Sequence, residues 1–344
     1  MAQKTQRRST KWKFIVLLLV VCLACVGWSG AWFYLRSALV GSVATKTNAL
    51  ASRDMHVSCP GLSVLGFPFR FETSCESLVV ADQDRRFFQI DDLTSVSLVY
   101  NPTHIIFQSS GPASYADRAN GWLTETEWSK AEASVRLSLA GVSQLDAELE
   151  APSVMLSSSL GDYAAMSEQL QVHLRRPPDA FGDLETFIDA SSLVIEDVLN
   201  DWDELGARFH TVISQGGDLL SGRSLDDIKT LQGGVLRVQI VSASFGSAEE
   251  SIHLRGEISI DQNDLVSGDL TVGLSGIDGL AERARKLWPN DRELIKTIRD
   301  FAPLLGRNTV ASGRGQRLEF PMTIRKGVVS VGFVTLGELQ PIRF

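Results

Sequence analysis

Histidine, cysteine and acidic side chains are where chemistry would start in this chain, so their spacing decides which reactions are open to it. The five histidines, His56, His104, His173, His210 and His253, lie far apart in sequence. None has a second ligand-type residue two or four positions on in a metal pattern, so they read as surface or strand histidines. No G-x-S-x-G elbow, Walker loop, G-x-G-x-x-G, H-E-x-x-H pair or zinc quartet occurs. Asp261-Gln262-Asn263-Asp264 is acidic but lacks the glycine and distal glutamate of a calcium loop, and it reads as a hairpin turn. Asp82, Asp84, Asp91 and Asp92 flank Arg85-Arg86 and read as a solvated turn. No catalytic, cofactor-binding or metal-ligating set follows from spacing, which leaves only a site assembled in three dimensions.

The charge distribution narrows the partners. Net charge is −8 although residues 1–13 carry five cations (Lys4, Arg7, Arg8, Lys11 and Lys13) and no acid, leaving −13 on the remainder. A nucleic-acid partner is disfavoured, because phosphate binding needs a basic footprint. From Phe14 to Tyr34 the chain runs 21 residues without a charge, between Lys13 and Arg36. At a rise of about 1.5 Å per residue that covers roughly 30 Å, a bilayer core. The cations ahead of it put the N-terminus in the cytoplasm, and Trp12, Trp28, Trp32, Phe33 and Tyr34 sit where interfacial aromatics belong. A cleaved signal peptide would need a small-x-small site, and the candidate positions near Trp28, Gly30 and Trp32 hold bulky aromatics. Lipidation at Cys25 would follow a leucine where Cys22 stands.

Of the four cysteines, Cys22 and Cys25 lie within the span and behave as small apolar residues. Cys59 and Cys75 fall on the oxidising side, where disulfides persist. Their midpoint is Phe67, inside Gly66-Phe67-Pro68, so a fold-back there is expected to bring them opposite each other and close a disulfide. A loop of that size stabilises by roughly 3 kcal/mol. Two unrelated thiols, or a zinc site with His56, are the alternatives, the latter lacking paired spacing.

The elements that must position these residues are mostly strands. Residues 36–55 read as a stalk helix. Period-two alternation then recurs around Val96, Val135, Ala147, Val154, Leu170, Val235, Ile252, Ile258, Leu270 and Val328, predicting ten or more half-buried antiparallel strands. Leu280, Ala284, Leu287, Leu294, Ile295, Ile298, Phe301 and Leu305 predict an amphipathic helix split by Pro289. A short helix is expected over Gly121–Lys130; between Leu184 and Val212 the apolar spacing fits a heptad while Ser191–Ile195 fits a strand, and the favoured reading is a strand followed by a helix from about Asn200 to Ser214. The expected organisation is a basic cytoplasmic tail (1–13), a transmembrane helix (14–35) and an ectodomain on the far side of the membrane (36–344), with a division into two lobes near 175–224. The fold class is α+β and β-rich: an extended curved antiparallel sheet with a few packing helices after one transmembrane helix.

Gly66-Phe67-Pro68-Phe69-Arg70, Tyr100-Asn101-Pro102-Thr103-His104-Ile105, Gly233-Gly234-Val235-Leu236, Gly256-Glu257-Ile258-Ser259-Ile260-Asp261 with Gly268-Asp269-Leu270, and Gly327-Val328-Val329-Ser330-Val331-Gly332 with Leu336-Gly337 resemble the bacterial domain-of-unknown-function family 2125. The likeness spans roughly residues 36–342 and implies an alphaproteobacterial source. That family brings no assigned activity. Its glycine, strand, glycine pattern also looks like that of AsmA-like envelope proteins, whose long curved sheets hold lipid.

Two functions from different classes remain open. One is a structural or binding role in the bacterial envelope, with an apolar sheet face offered to a lipid or an envelope protein. The other is a membrane-tethered periplasmic hydrolase or modifying enzyme. An open apolar groove distinguishes the first, and a pocket gathering a histidine, a carboxylate and a serine the second.

Overall fold

A computed structural model describes residues 10–51, 55–82, 86–118, 120–139, 141–158, 161–196, 205–287, 292–310 and 316–342. Helix α1 (Thr10–Ala51) carries the apolar run and the stalk as one rod. The chain then builds β1 (Met55–Ser58), β2 (Ser63–Leu65), β3 (Arg70–Asp82), β4 (Arg86–Leu98), β5 (Asn101–Ser109), β6 (Ala113–Asp117) and β7 (Trp122–Glu127). Next come β8 (Lys130–Ser138), β9 (Gly141–Glu150), β10 (Ser153–Ser158), β11 (Gly161–Met166), β12 (Gln169–Arg175), β13 (Leu184–Ile195) and β14 (Leu205–Ile213). A 3-10 turn (Gly216–Ser221) and α2 (Leu225–Leu231) precede β15 (Leu236–Gly246), β16 (Ser251–Ile260) and β17 (Val266–Ser275). Helices α3 (Ile277–Leu287) and α4 (Arg292–Leu305) lead to β18 (Arg307–Val310), β19 (Gln316–Arg325), β20 (Val328–Val331) and β21 (Val334–Glu338).

All strands belong to one antiparallel sheet laid down as successive hairpins. Residues opposite each other on neighbouring strands share a face. One such row runs from Phe107 through Ala133, Ala147, Val172 and Ile188. It continues through Phe209, Ala243, Leu254 and Val272 to Phe320. The row beside it is equally apolar, from Ala131 through Leu149, Leu170, Ala190 and Ala207 to Phe245. The alternating apolar residues expected on strands β8, β9, β12, β16 and β17 thus fall on one face. Val96 departs from this pattern, since it lies opposite Ile106 in a row that leads to Ser134 and Asp146 on the other face.

A crease crosses the first half of the sheet. Strand β4 pairs with β6 through Arg86–Ile90 and with β5 through Thr94–Leu98, so β5 and β6 are two halves of one line. The pairs β7 and β8, β9 and β10, and β11 and β12 are broken at the same level. There Asp92, Ala151 and Ser192 take left-handed φ of 49°, 48° and 49°. Such irregularities bend a strand and add twist. The crease keeps its hydrogen bonds, with Asp91 N donating to Pro112 O at 3.0 Å, Ala151 N to Glu168 O at 2.8 Å and Glu168 N to Ser191 O at 3.0 Å.

Packing on the apolar face is concentrated over the second half. Ile228 of α2 is fully buried with Leu236, Ile260, Val266, Leu270 and Ile324. Leu280 of α3 packs on Leu205, and Ile277 packs beside Val272 and Phe320. Strand β16 requires glycine at Gly256, where φ is 143° and a Cβ would meet the backbone carbonyl of Asp269 on the neighbouring β17 at 2.2 Å.

Two helix expectations are corrected. Gly121–Lys130 contains strand β7, and the residues from 205 to 213 form strand β14 rather than a helix. A spacing of four, as between Leu205 and Phe209, fits a period of 2 as well as one of 3.6. Leu205, Ala207 and Phe209 all lie on the apolar face, which decides for strand. Residues 197–204, Asp84 and Arg85 lie outside the described residues.

Candidate functional site

The open half of the apolar face is the first candidate. Within strands β5–β12 no described apolar side chain is buried, whereas Leu236, Leu270, Val272, Leu318 and Phe320 on the covered half all are. Ile105, Val135, Leu145 and Leu174 form a half-buried row parallel to Phe107, Ala133, Ala147 and Val172. The two alanines make the floor shallow in side chain between larger neighbours. At the near edge the stalk of α1 stands off the sheet, leaving a groove of about 530 Å³ whose lining includes Val40, Val57, Leu78, Leu93 and Phe107.

The second feature fixes that stalk. Trp28, Trp32 and Arg36 stand four residues apart on one face of α1. Their side-chain N–H groups donate to Pro68 O (2.9 Å), Arg70 O (3.2 Å) and Val64 O (2.8 Å), clasping the β2–β3 hairpin. Trp32 is only 4% exposed, stacked on Phe71 and edge-on to Phe67. Gly66 enables the turn, since its φ is 100° and a Cβ there would meet Arg70 O at 2.8 Å.

Cys59 and Cys75 are joined as a disulfide with Cα atoms 5.5 Å apart. They are not directly opposed as a fold-back at Phe67 would place them. Strands β1 and β2 share one register on β3, with Ser58 opposite Val79 and Ser63 opposite Ser74. Residues 59–62 leave the ladder between them, and this detour lets Cys59 reach Cys75. Cys22 and Cys25 are free and exposed on α1.

The opposite face is polar and brings several of the scattered histidines to one region. His104 Nε2 lies 3.0 Å from Ser134 Oγ, and His173 Nδ1 lies 2.8 Å from Asp146 Oδ1. Across the sheet the order is His104, Ser134, Asp146, His173. A serine nucleophile needs its base between hydroxyl and carboxylate. Here each histidine stands outside the Ser134–Asp146 pair, so no relay forms. His210 Nε2 meets Glu185 Oε1 at 2.7 Å, and the Arg175 guanidinium bound to Glu185, with help from His210, holds that carboxyl below its usual range against the cost of burial. His253 contacts Ser251 and Arg317, and His56 lies on exposed β1. Asp261 forms the expected turn, its carboxylate accepting from Asn263 N at 2.8 Å and Leu265 N at 3.1 Å. Asp91 and Asp92 belong to β4 at the crease rather than to a solvated turn. Among the described residues no three His, Cys, Asp or Glu side chains are grouped to hold a metal.

Spacing also missed Arg176, which is buried and ties the 3-10 turn to the sheet through Val142 O (3.1 Å), Asp218 and Ser221 (3.2 Å). It missed α2, whose signal was the capping box of Ser224 and Asp227.

No curated protein and no solved structure matches this chain. The family described as an uncharacterized protein conserved in bacteria (DUF2125) matches residues 32–340, from Trp32 on the clasp to the last strand, and the chain belongs to that family.

Proposed function

We propose that this is a single-pass protein of the bacterial inner membrane that holds a lipid acyl chain on the open half of its apolar sheet face. In this reading residues 1–13 are cytoplasmic, 14–35 span the membrane and 36–344 form a periplasmic ectodomain. The charge-free run, the cations before it and the disulfide after it support that topology. The strand pairing β12–β13–β14–β15 runs through residues 175–224 and favours one ectodomain over two lobes.

The observation that carries the reading is that the same apolar rows continue from β15–β19, where α2 and α3 pack over buried Leu236, Leu270, Val272 and Phe320, through an exposed Phe209 on β14 onto β5–β12, where no described apolar side chain is buried. Contiguous exposed apolar surface marks a lipid or protein contact. The alternative, a tethered hydrolase, would need one histidine between Ser134 and Asp146.

A photoactivatable benzoyl-phenylalanine placed at Leu145 or Val172 in the full chain, in cells, tests this against neighbours Asp146 and His173 on the opposite face. Lipid adducts at the first pair and not the second are expected. Protein adducts at Leu145 would favour an envelope partner, and equal labelling on both faces would overturn the reading.

A further inference from the structure

We infer that the tip of the β2–β3 hairpin is a second membrane contact, with Leu65, Phe67 and Phe69 seated in the outer lipid interface beside α1. The inference rests on α1 crossing the membrane as proposed above. Trp28 lies inside the charge-free run, six residues before its end at Tyr34, or about 9 Å of helix. Its indole N–H holds Pro68 O at 2.9 Å, so the hairpin tip sits at the depth of Trp28 rather than beyond the span. The Phe67 ring stacks on Phe33, a residue of the same run, with centroids 5.8 Å apart.

The tip's composition suits that depth. Hairpin turns in water favour Gly, Pro, Asn, Asp and Ser; Gly66 and Pro68 meet that rule, and the large apolar residues beside them do not. This one exposes Leu65 (60%), Phe67 (49%) and Phe69 (64%), and Tyr100 (75%) follows in the next turn at the same end, tied by Val99 N donating to Phe69 O at 3.0 Å. Aromatic side chains concentrate at membrane interfaces. A turn entering lipid must also satisfy its backbone. Pro68 has no N–H and its carbonyl takes the Trp28 indole; the Arg70 carbonyl takes the Trp32 indole; Arg70 N donates to Gly66 O at 3.1 Å. Arg36 and the Arg70–Glu72 ion pair, at 2.8 Å, mark the return to water. The clasp thus positions the near edge of the sheet, and the groove beside α1, against the outer leaflet.

The test is a nitroxide label in the full chain, reconstituted in nanodiscs of phosphatidylethanolamine and phosphatidylglycerol, with collisions measured against oxygen and a nickel chelate. Labels enter at Phe67→Cys or Phe69→Cys in a Cys22→Ser/Cys25→Ser background, with Leu65→Cys as a site that leaves the Trp32 stack intact. Asp162→Cys, exposed near the start of β11, gives the aqueous reference, and native Cys22 in a Cys25→Ser chain gives the immersed one. Nickel collisions several-fold below those at residue 162, with oxygen favoured, are expected at all three tip sites. Aqueous values at the tip with an immersed Cys22 would overturn the hairpin contact alone. An aqueous Cys22 would overturn the anchor and the contact with it.

Discussion

The indole N–H of Trp28 donates to the carbonyl of Pro68 at 2.9 Å, across a separation of 40 residues. With Trp32 and Arg36 it makes α1 a clasp for the hairpin rather than a tether that merely precedes the domain. Trp32 dominates, because it alone of the three is buried among aromatic rings. Trp32→Ala should cost about 3 to 5 kcal/mol of local packing. Trp28→Phe, which removes one hydrogen bond, should cost about 1 kcal/mol. Hydrogen exchange of the amides in residues 63–72 reads both, and equal protection in Trp32→Ala and the unaltered chain would contradict the clasp.

The disulfide closes a loop with a sequence separation of 16 between β1 and β3. The chain-entropy relation gives about 3 kcal/mol for a loop of this length. Cys59→Ser/Cys75→Ser should lower the denaturation midpoint accordingly. Maleimide should modify Cys22 and Cys25 alone in unreduced, unfolded protein, and all four cysteines after reduction.

Much of this architecture is legible in the sequence because sheet faces are written in period two. Val135, Ala147, Leu149, Leu170, Val172, Leu254 and Leu270 are alternating residues, and all fall on one face. The crease is not legible, since three of its left-handed positions are Asp92, Ala151 and Ser192, where glycine would have given a signal. Nor is the detour at residues 59–62, because equal spacing about Phe67 predicts a direct pairing that the shared register of β1 and β2 does not use. The clasp was half visible: its aromatics were readable as interfacial, but nothing in their spacing joins Trp28 to Pro68.

Glu185 provides a pH test on the polar face. Its folded pKa is depressed, chiefly by the hydrogen bond from Arg175 and further by His210. A depressed carboxylate stabilises the fold above its unfolded value of about 4.3, and the contribution disappears as pH falls through the lower folded value. Arg175 is 56% exposed, so solvent screening keeps the gain to about 1 kcal/mol or less. Glu185→Gln should therefore lower the melting temperature slightly at pH 7, and the deficit should shrink as pH falls below the unfolded value of about 4.3 and vanish once pH is below the folded value. A deficit that persists unchanged at low pH would assign the loss to packing.

The contrast between the two halves of the apolar face gives the last prediction. Ile228 is fully buried among Leu236, Ile260 and Leu270, so Ile228→Ala removes side-chain volume from a closed core and should cost about 2 to 5 kcal/mol. Leu145 occupies an equivalent row on β9 but is only half-buried between Val135 and Leu174. Removing a side chain from a face open on one side leaves no cavity, and solvent or lipid fills the space. Leu145→Ala should then cost about 1 kcal/mol or less in lipid-free detergent. If an acyl chain occupies the face, the same substitution should cost more in protein purified with its lipid, because the bound chain stabilises the folded state by mass action. Denaturation of both variants before and after delipidation separates the cases. A loss at Leu145 as large as that at Ile228 in lipid-free protein would mean that this face is closed.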